Sequence, residues 1–254
     1  MLQIKKRTKG SEKMRMTMSI GQMKEIMENL KLITEEATLH FTSEGFSLTA
    51  VDVSHVCLIS AEYDAAYFEE FDCEESTLTF YISVFLDLMK GSKTNDSISI
   101  EWDNEGTHIS ITKGLLTKRV RKLENRTSPS IPDLTLESNI DVEAEWFEMA
   151  VKHASDVADL INFRTTEEEF SISGESDNGD ISICLEVESG LEDEIVSTFS
   201  CTYLKPVSKR IRMTVGKTTP IRVKYGSNFP LMVEYSSDIG NYTYFLAPRI
   251  DGDV

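Results

Sequence analysis

The sequence predicts an α+β protein made of two tandem copies of one module, each with antiparallel sheets and two helices. Three observations carry that expectation. Phe46-Ser47-Leu48-Thr49-Ala50 returns as Phe170-Ser171-Ile172-Ser173-Gly174, an offset of 124 residues (46 to 170). The same offset pairs the stretch around Met23 and Met27 with that around Phe147 and Val151, each an amphipathic pattern followed by a strand-like run. A unit of half the chain repeated once means two similar domains, since solenoid repeats are only about 20–50 residues long. Helices are sparse and the strands are joined by short turns, which favours antiparallel sheets. Finally, 254 residues that are 40% hydrophobic, with only six prolines, suffice for two domains with real cores.

The elements follow in order. Residues 1–13 are polar and basic and precede the first alternating run. They read as a flexible extension, or as a start codon placed ahead of a true start at Met14 or Met16. Residues 14–20 alternate as a strand. Ser19 or Gly21 can open the next helix, whose Met23, Ile26, Met27, Leu30 and Ile33 form an apolar stripe at helical spacing. Short strands are expected at 37–42, 46–51 and 56–63, with turn chemistry at Ser43-Glu44-Gly45. A second helix fits 82–89, stopped by Gly91, and strands resume at 97–102, 108–112 and 115–123. Each half therefore reads strand, helix, three strands, helix, three strands. Residues 124–135 hold two prolines and no periodic pattern, so they form a linker between a first repeat at 14–123 and a second at 136–254. Helices of the second repeat are expected at 144–160 and 202–212, with Pro206 in the first turn of the latter.

The four cysteines, Cys57, Cys73, Cys184 and Cys201, form no CxxC motif, and there are only four histidines, so a zinc site has little support. Cys57 and Cys184 sit in similar apolar strand patterns and are expected to be buried free thiols. No apolar run approaches the ~20 residues of a membrane span, and the start lacks a signal-peptide core. A soluble, intracellular protein without membrane contact is expected. The acidic runs Glu167-Glu168-Glu169 and Glu192-Asp193-Glu194 leave a metal-dependent hydrolase as a distant alternative, because neither has a histidine nearby or calcium-loop spacing. No catalytic residue, metal or cofactor is assigned.

Net charge is −17, yet every expected helix carries cations. Lys24 and Lys31 lie seven residues apart and so on nearly the same face. Lys90 and Lys93 follow helix two, Lys152 and His153 belong to helix three, and Lys205, Lys209, Arg210 and Arg212 belong to a fourth helix without any acidic residue. If the four helices share one face, that face is basic on an acidic protein and attracts phosphate without reading sequence. A second basic run, Lys118-Arg119-Val120-Arg121-Lys122, ends the first repeat. Its counterpart in the second repeat is acidic, with Asp177, Asp180, Glu186 and Glu188 around residues 181–187. Oppositely charged edge strands suggest head-to-tail association, in which Lys118, Arg119 and Arg121 meet Asp180 and Glu186 of another copy. Such a contact closes into a ring where the rotation allows.

Leu48-Thr49-Ala50-Val51-Asp52-Val53-Ser54-His55-Val56-Cys57-Leu58 resembles the signature segment of sliding clamps of the proliferating cell nuclear antigen (PCNA) family. Phe229-Pro230-Leu231-Met232-Val233-Glu234-Tyr235 and Phe245-Leu246-Ala247-Pro248-Arg249-Ile250 are similar to two further segments of that family, and the resemblance covers residues 14–250. It implies two clamp-fold repeats per chain and a homotrimeric ring, with helices lining a central hole and sheets outside. Lys24, Lys31, Lys90, Lys152, His153, Lys205, Lys209 and Arg210 would then face double-stranded DNA. Residues 124–135 would be the interdomain connecting loop. Beside it, Val51, His55, Val56, Leu58, Ile131, Pro132, Pro230, Phe245, Ala247 and Pro248 would form the pocket for the hydrophobic-aromatic PIP-box peptides of client enzymes. The implied partners are DNA polymerase, clamp loader, flap endonuclease and DNA ligase. The implied location is on DNA, in the cytoplasm or nucleoid of an archaeon or the nucleus of a eukaryote. One subunit of a heterotrimeric replicative or checkpoint-type clamp is the alternative. Val51, Val53 and Arg126 depart from the family pattern, which bears on client preference rather than on fold.

Overall fold

The computed structural model describes residues 13–250, so the expected N-terminal extension lies, but for Lys13, outside the described residues. The first repeat runs β1 (Lys13–Ser19), α1 (Ile20–Lys31), β2 (Glu36–Thr42), β3 (Gly45–Val51), β4 (Cys57–Asp64), β5 (Glu70–Asp72), β6 (Ser76–Tyr81), α2 (Ile82–Met89), β7 (Ser97–Asp103), β8 (His108–Lys113) and β9 (Leu116–Arg121). The second runs β10 (Ser138–Glu143), α3 (Ala144–Ser155), β11 (Leu160–Thr165), β12 (Glu169–Ser176), β13 (Gly179–Glu186), β14 (Ile195–Ser200), α4 (Cys201–Val215), β15 (Pro220–Tyr225), β16 (Leu231–Ser236) and β17 (Asn241–Leu246). Four long strands, not three, separate the helices of each repeat. β6 and β14 escape the sequence pattern because each passes directly into a helix, with no turn residue to mark its end.

Three sheets result, ordered β5-β1-β7-β8-β9, β10-β15-β16-β17-β4-β3-β2-β6 and β13-β12-β11-β14. The eight-stranded middle sheet takes four strands from each repeat, and they join where β17 pairs antiparallel with β4, Phe245 opposite Leu58. The sequence repeat is also a structural one: Leu48 stands opposite Ala61 as Ile172 stands opposite Ile183.

Helix α1 starts with a capping box. Ser19 Oγ accepts from Gln22 N (3.2 Å), and the Ser19 N–H donates to Gln22 Oε1 (2.9 Å), so two otherwise orphaned donors are satisfied. Its stripe of Met23, Ile26, Met27 and Leu30 is buried, each side chain contributing about 1.5–3 kcal/mol. The expected third helix stops early, at Ser155 rather than 160. The N–H groups of Val157 and Ala158 both turn back to Ala154 O at 3.1 Å, and Asp159 O accepts from Cys201 N at 2.9 Å. Val157 and Leu160 keep helical spacing beyond the last turn, which is why periodicity overruns the helix. Helix α4 is longer than expected at both ends, so Pro206 sits beyond the first turn. Having no N–H, it gives the Thr202 carbonyl no helical donor, and both residues are exposed.

The helices form one contiguous layer: α2 packs on α1, α1 touches α4, and α4 packs on α3. Asn29 of α1 is fully buried at the junction of the repeats. Its Nδ2 donates to Glu25 O (2.8 Å) and Thr214 Oγ1 (3.2 Å), while Tyr235 and Tyr244 hydroxyls donate to its Oδ1 (2.9 Å) and main-chain O (3.1 Å). A buried polar group so fully paired holds α1, α4 and the middle sheet in one relative position.

Candidate functional site

An open cavity of about 600 Å³ lies at one end of the middle sheet. Val51 ends β3, His55 and Val56 lie in the β3–β4 loop, Leu58 is on β4, and Phe245 and Ala247 come from β17 and the segment after it. Pro230 precedes β16, and Pro132 belongs to the linker. Eight of the ten pocket residues expected from sequence thus line one cavity. Ile131, 51% exposed, and Pro248 are not in the lining. Cys57, Thr127, Pro129 and Ser130 also line it; the first belongs to the signature segment and the other three to the linker, although none is among the expected pocket residues.

Asp52 shapes the loop beneath this cavity. Its Oδ1 accepts from the N–H groups of Val56 and Cys57 (both 2.7 Å), and its Oδ2 from Ser54 N (3.0 Å). Tyr203 of α4 donates its hydroxyl to the same Oδ2 at 3.2 Å. Burial pushes the Asp52 carboxyl up, but the Cys57, Val56 and Ser54 N–H groups and the Tyr203 hydroxyl outweigh it and hold the group below the usual carboxylate range. His55 occupies the left-handed region at φ 56°, with its N–H on Asp52 O at 3.0 Å. Val56 O in turn accepts from Ala247 N (2.9 Å), and Arg249 N donates to Thr198 O (2.8 Å), so the chain end spans from the first repeat to the second.

Residues 122–137 have no regular structure but are fastened to the first repeat. Leu123 N donates to Thr79 O (2.9 Å), Arg126 pairs with Glu36 (2.7 Å), and Ser128 Oγ hydrogen-bonds His40 Nε2 (2.6 Å). These contacts place the linker as one wall of the cavity.

The expected DNA-facing cations divide into three kinds. Lys152, His153 and Lys209 are exposed and Lys24 is half-buried; none of them takes part in an ion pair among the described residues. Lys31, Lys90 and Lys205 are partly neutralised by Glu35, Asp87 (2.6 Å) and Asp156 (3.1 Å). Arg210 departs from the expectation. Its side chain is only 12% exposed and pairs with Glu28 of α1, because the helix layer packs that side of α4 against the first repeat. Arg212 similarly pairs with Glu148 of α3. The exposed stripe of α4 is Thr202, Lys205, Pro206, Lys209 and Met213.

β9 and β13 are each an edge strand of an outer sheet, whose other edges are β5 and β14. Lys118, Arg119 and Arg121 are exposed on the first, Asp180 and Glu186 on the second. Cys184 is exposed there too and not buried as expected, since it faces outward between half-buried Ile183 and Leu185. Edges β9 and β13 are repeat equivalents of the joined pair. Ile111 stands opposite Lys118 as Val233 stands opposite Tyr244, which makes β9 the counterpart of β17, while β13 is the counterpart of β4. Glu167 and Glu168 lie in the loop before β12, which starts at Glu169, and Glu192, Asp193 and Glu194 precede β14; among the described residues no cluster of three or more His, Cys, Asp or Glu side chains could hold a metal ion.

The PCNA N-terminal domain family matches residues 14–121. The chain is 29% identical to a DNA polymerase sliding clamp of Nitrosopumilus maritimus, over 92% of this chain and 97% of that protein. It is 28% identical to DNA polymerase sliding clamp 1 of Thermococcus kodakarensis, over 86% and 91%. Its fold matches that of A. fulgidus PCNA, solved with the C-terminal region of FEN-1, at TM-score 0.82 and 24% identity, over 94% of this chain and 100% of the other. PCNA of Thermococcus kodakaraensis matches at TM-score 0.80 and 21% identity, over 93% and 100%.

Proposed function

We propose that the chain is a DNA sliding clamp of the PCNA family, and that three copies close into a ring around duplex DNA and tether client enzymes to it. The role is non-catalytic: the ring acts as a processivity factor for the replicative polymerase and as a platform for clamp loader, flap endonuclease and DNA ligase. It works inside the cell, on DNA.

The observation that carries this reading is the equivalence of the free edges β9 and β13 to the joined strands β17 and β4. A second copy that docks β9 on β13 repeats the junction already present within the chain. In that register Arg119 takes the place of Phe245 and Asp180 that of Leu58, so opposite charges meet directly across the strands. Lys118 and Val120 follow Tyr244 and Leu246 toward the helix side. Because this contact is head-to-tail, each copy offers both halves, and the chain of contacts closes into a ring where the rotation between copies allows. Self-complementary edges within one sequence favour a homotrimer over a heterotrimer of distinct subunits.

Lys24, Lys152 and Lys209, which form no ion pair among the described residues, lie on three helices of one continuous layer, which suits phosphate contact without sequence reading. The apolar cavity, fed by four separated segments, suits an anchoring aromatic side chain of a PIP-box peptide. Retention on closed circular DNA after loading, with release on linearisation, tests the reading. Equal release from both forms would overturn it.

A further inference from the structure

We propose that Tyr203, a residue of helix α4 outside the client pocket, positions the pocket wall by holding Asp52 from behind. This rests on the reading of the 600 Å³ cavity as the client-peptide site. Tyr203 does not line that cavity, yet it borders a small apolar gap of about 10 Å³ directly behind it. Cys57 and Phe245 line both spaces, so the ring of Tyr203 backs the same floor that the peptide meets from the front. A gap of that size with apolar walls stays dry, and contact across it is therefore between side chains.

The hydroxyl adds direction to that packing. The Asp52 carboxylate accepts from Ser54, Val56 and Cys57 N–H groups and from Tyr203. The three main-chain bonds curl the loop onto its own aspartate. Beside the main-chain bond from Ala247 N to Val56 O, the Tyr203 hydroxyl ties the curled loop to the second repeat through a side chain, and it does so from a helix whose opposite face carries Lys205 and Lys209. His55 and Val56 line the cavity from this loop, and Val56 O holds Ala247. Without the hydroxyl, the loop keeps Ala247 but loses its bond to α4, which helps set its position relative to Pro230 and Phe245. Tyr203 is thus a positioning residue for peptide binding.

The test titrates a fluorescent PIP-box peptide into the intact assembly of wild type, Tyr203→Phe, Asp52→Asn and the double variant. Amide hydrogen exchange at Val56 and Cys57 is followed in the same proteins. Tyr203→Phe should weaken peptide binding about tenfold, the effect of one hydrogen bond to a charged group at the lower end of its range. It should also speed exchange at both amides. The double variant should bind no more weakly than Asp52→Asn, because Tyr203 acts through that carboxylate. Additive losses, or wild-type affinity in Tyr203→Phe, would overturn the proposal. If wild type binds no peptide, the pocket reading fails; faster exchange in Tyr203→Phe would then still uphold the positioning of the loop, and unchanged exchange would remove it.

Discussion

Arg210 of α4 and Glu28 of α1 form an ion pair that joins the two repeats within the helix layer, and the arginine is almost wholly enclosed. A cation placed by sequence on the DNA side is therefore a brace between domains. Arg210→Ala should lower unfolding stability by about 2 kcal/mol, since it leaves Glu28 unpaired and opens a gap beside α1. Chemical denaturation measures this. DNA retention at matched folded concentration should stay near wild type, in contrast to the lysine variants below.

Replacing Lys24, Lys152 and Lys209 with alanine should weaken retention on DNA while leaving assembly intact. None of these cations has an ion-pair partner to lose among the described residues. Each phosphate contact removed should lessen the dependence of log K on log salt by about 0.9. A salt titration of DNA retention reads the change; an unaltered slope would exclude these residues from phosphate contact.

The register inherited from β17 and β4 puts Arg119 opposite Asp180 of a neighbouring copy. Arg119→Glu should dissociate the assembly at low concentration and low salt, by roughly 1 kcal/mol or more per contact as attraction becomes repulsion. Mixing Arg119→Glu with Asp180→Arg makes both kinds of contact between unlike chains attractive and leaves one repulsive contact in each ring of three, seen as partial recovery of mass in sedimentation. The double variant within one chain should recover the full assembly.

Peptide binding should fail in acid through Asp52. Its folded pKa is lowered, so the loop is stabilised above the usual carboxylate range and loses that support as pH falls through the lowered value. The groups that face it do not reverse this sign. Tyr203 donates a hydrogen bond, and the Cys57 thiol, pushed up to about 12 by burial and by Asp52 itself, stays neutral. Affinity measured from neutral to strongly acid pH should be flat until that range and then drop, and Asp52→Asn should remove the drop.

The doubled module was legible because its packing is periodic: the stripe of Met23, Ile26, Met27 and Leu30 and the paired Phe46 and Phe170 runs are core by spacing alone. Most pocket residues were legible only through resemblance, because Val51, His55, Pro230 and Ala247 meet through long-range sheet pairing that no local pattern encodes. Arg210 was misplaced for a related reason. Along α4 it follows Lys209 by one residue, a step of 100° around the helix that moves it from the open face to the one packed on α1. Cys184 illustrates the strand version, in which a shift by one residue exchanges the core side for the outer side. Asp52 looked like a motif residue without a task until the Tyr203 hydroxyl and three N–H groups were seen to converge on it.

The mass of the assembly in solution bears most directly on the central claim. Light scattering of the full chain at low salt should give three times the mass of one chain, falling to a single-chain mass on Arg119→Glu. A single-chain mass for wild type at every concentration, or growth into open polymers, would contradict the closed ring.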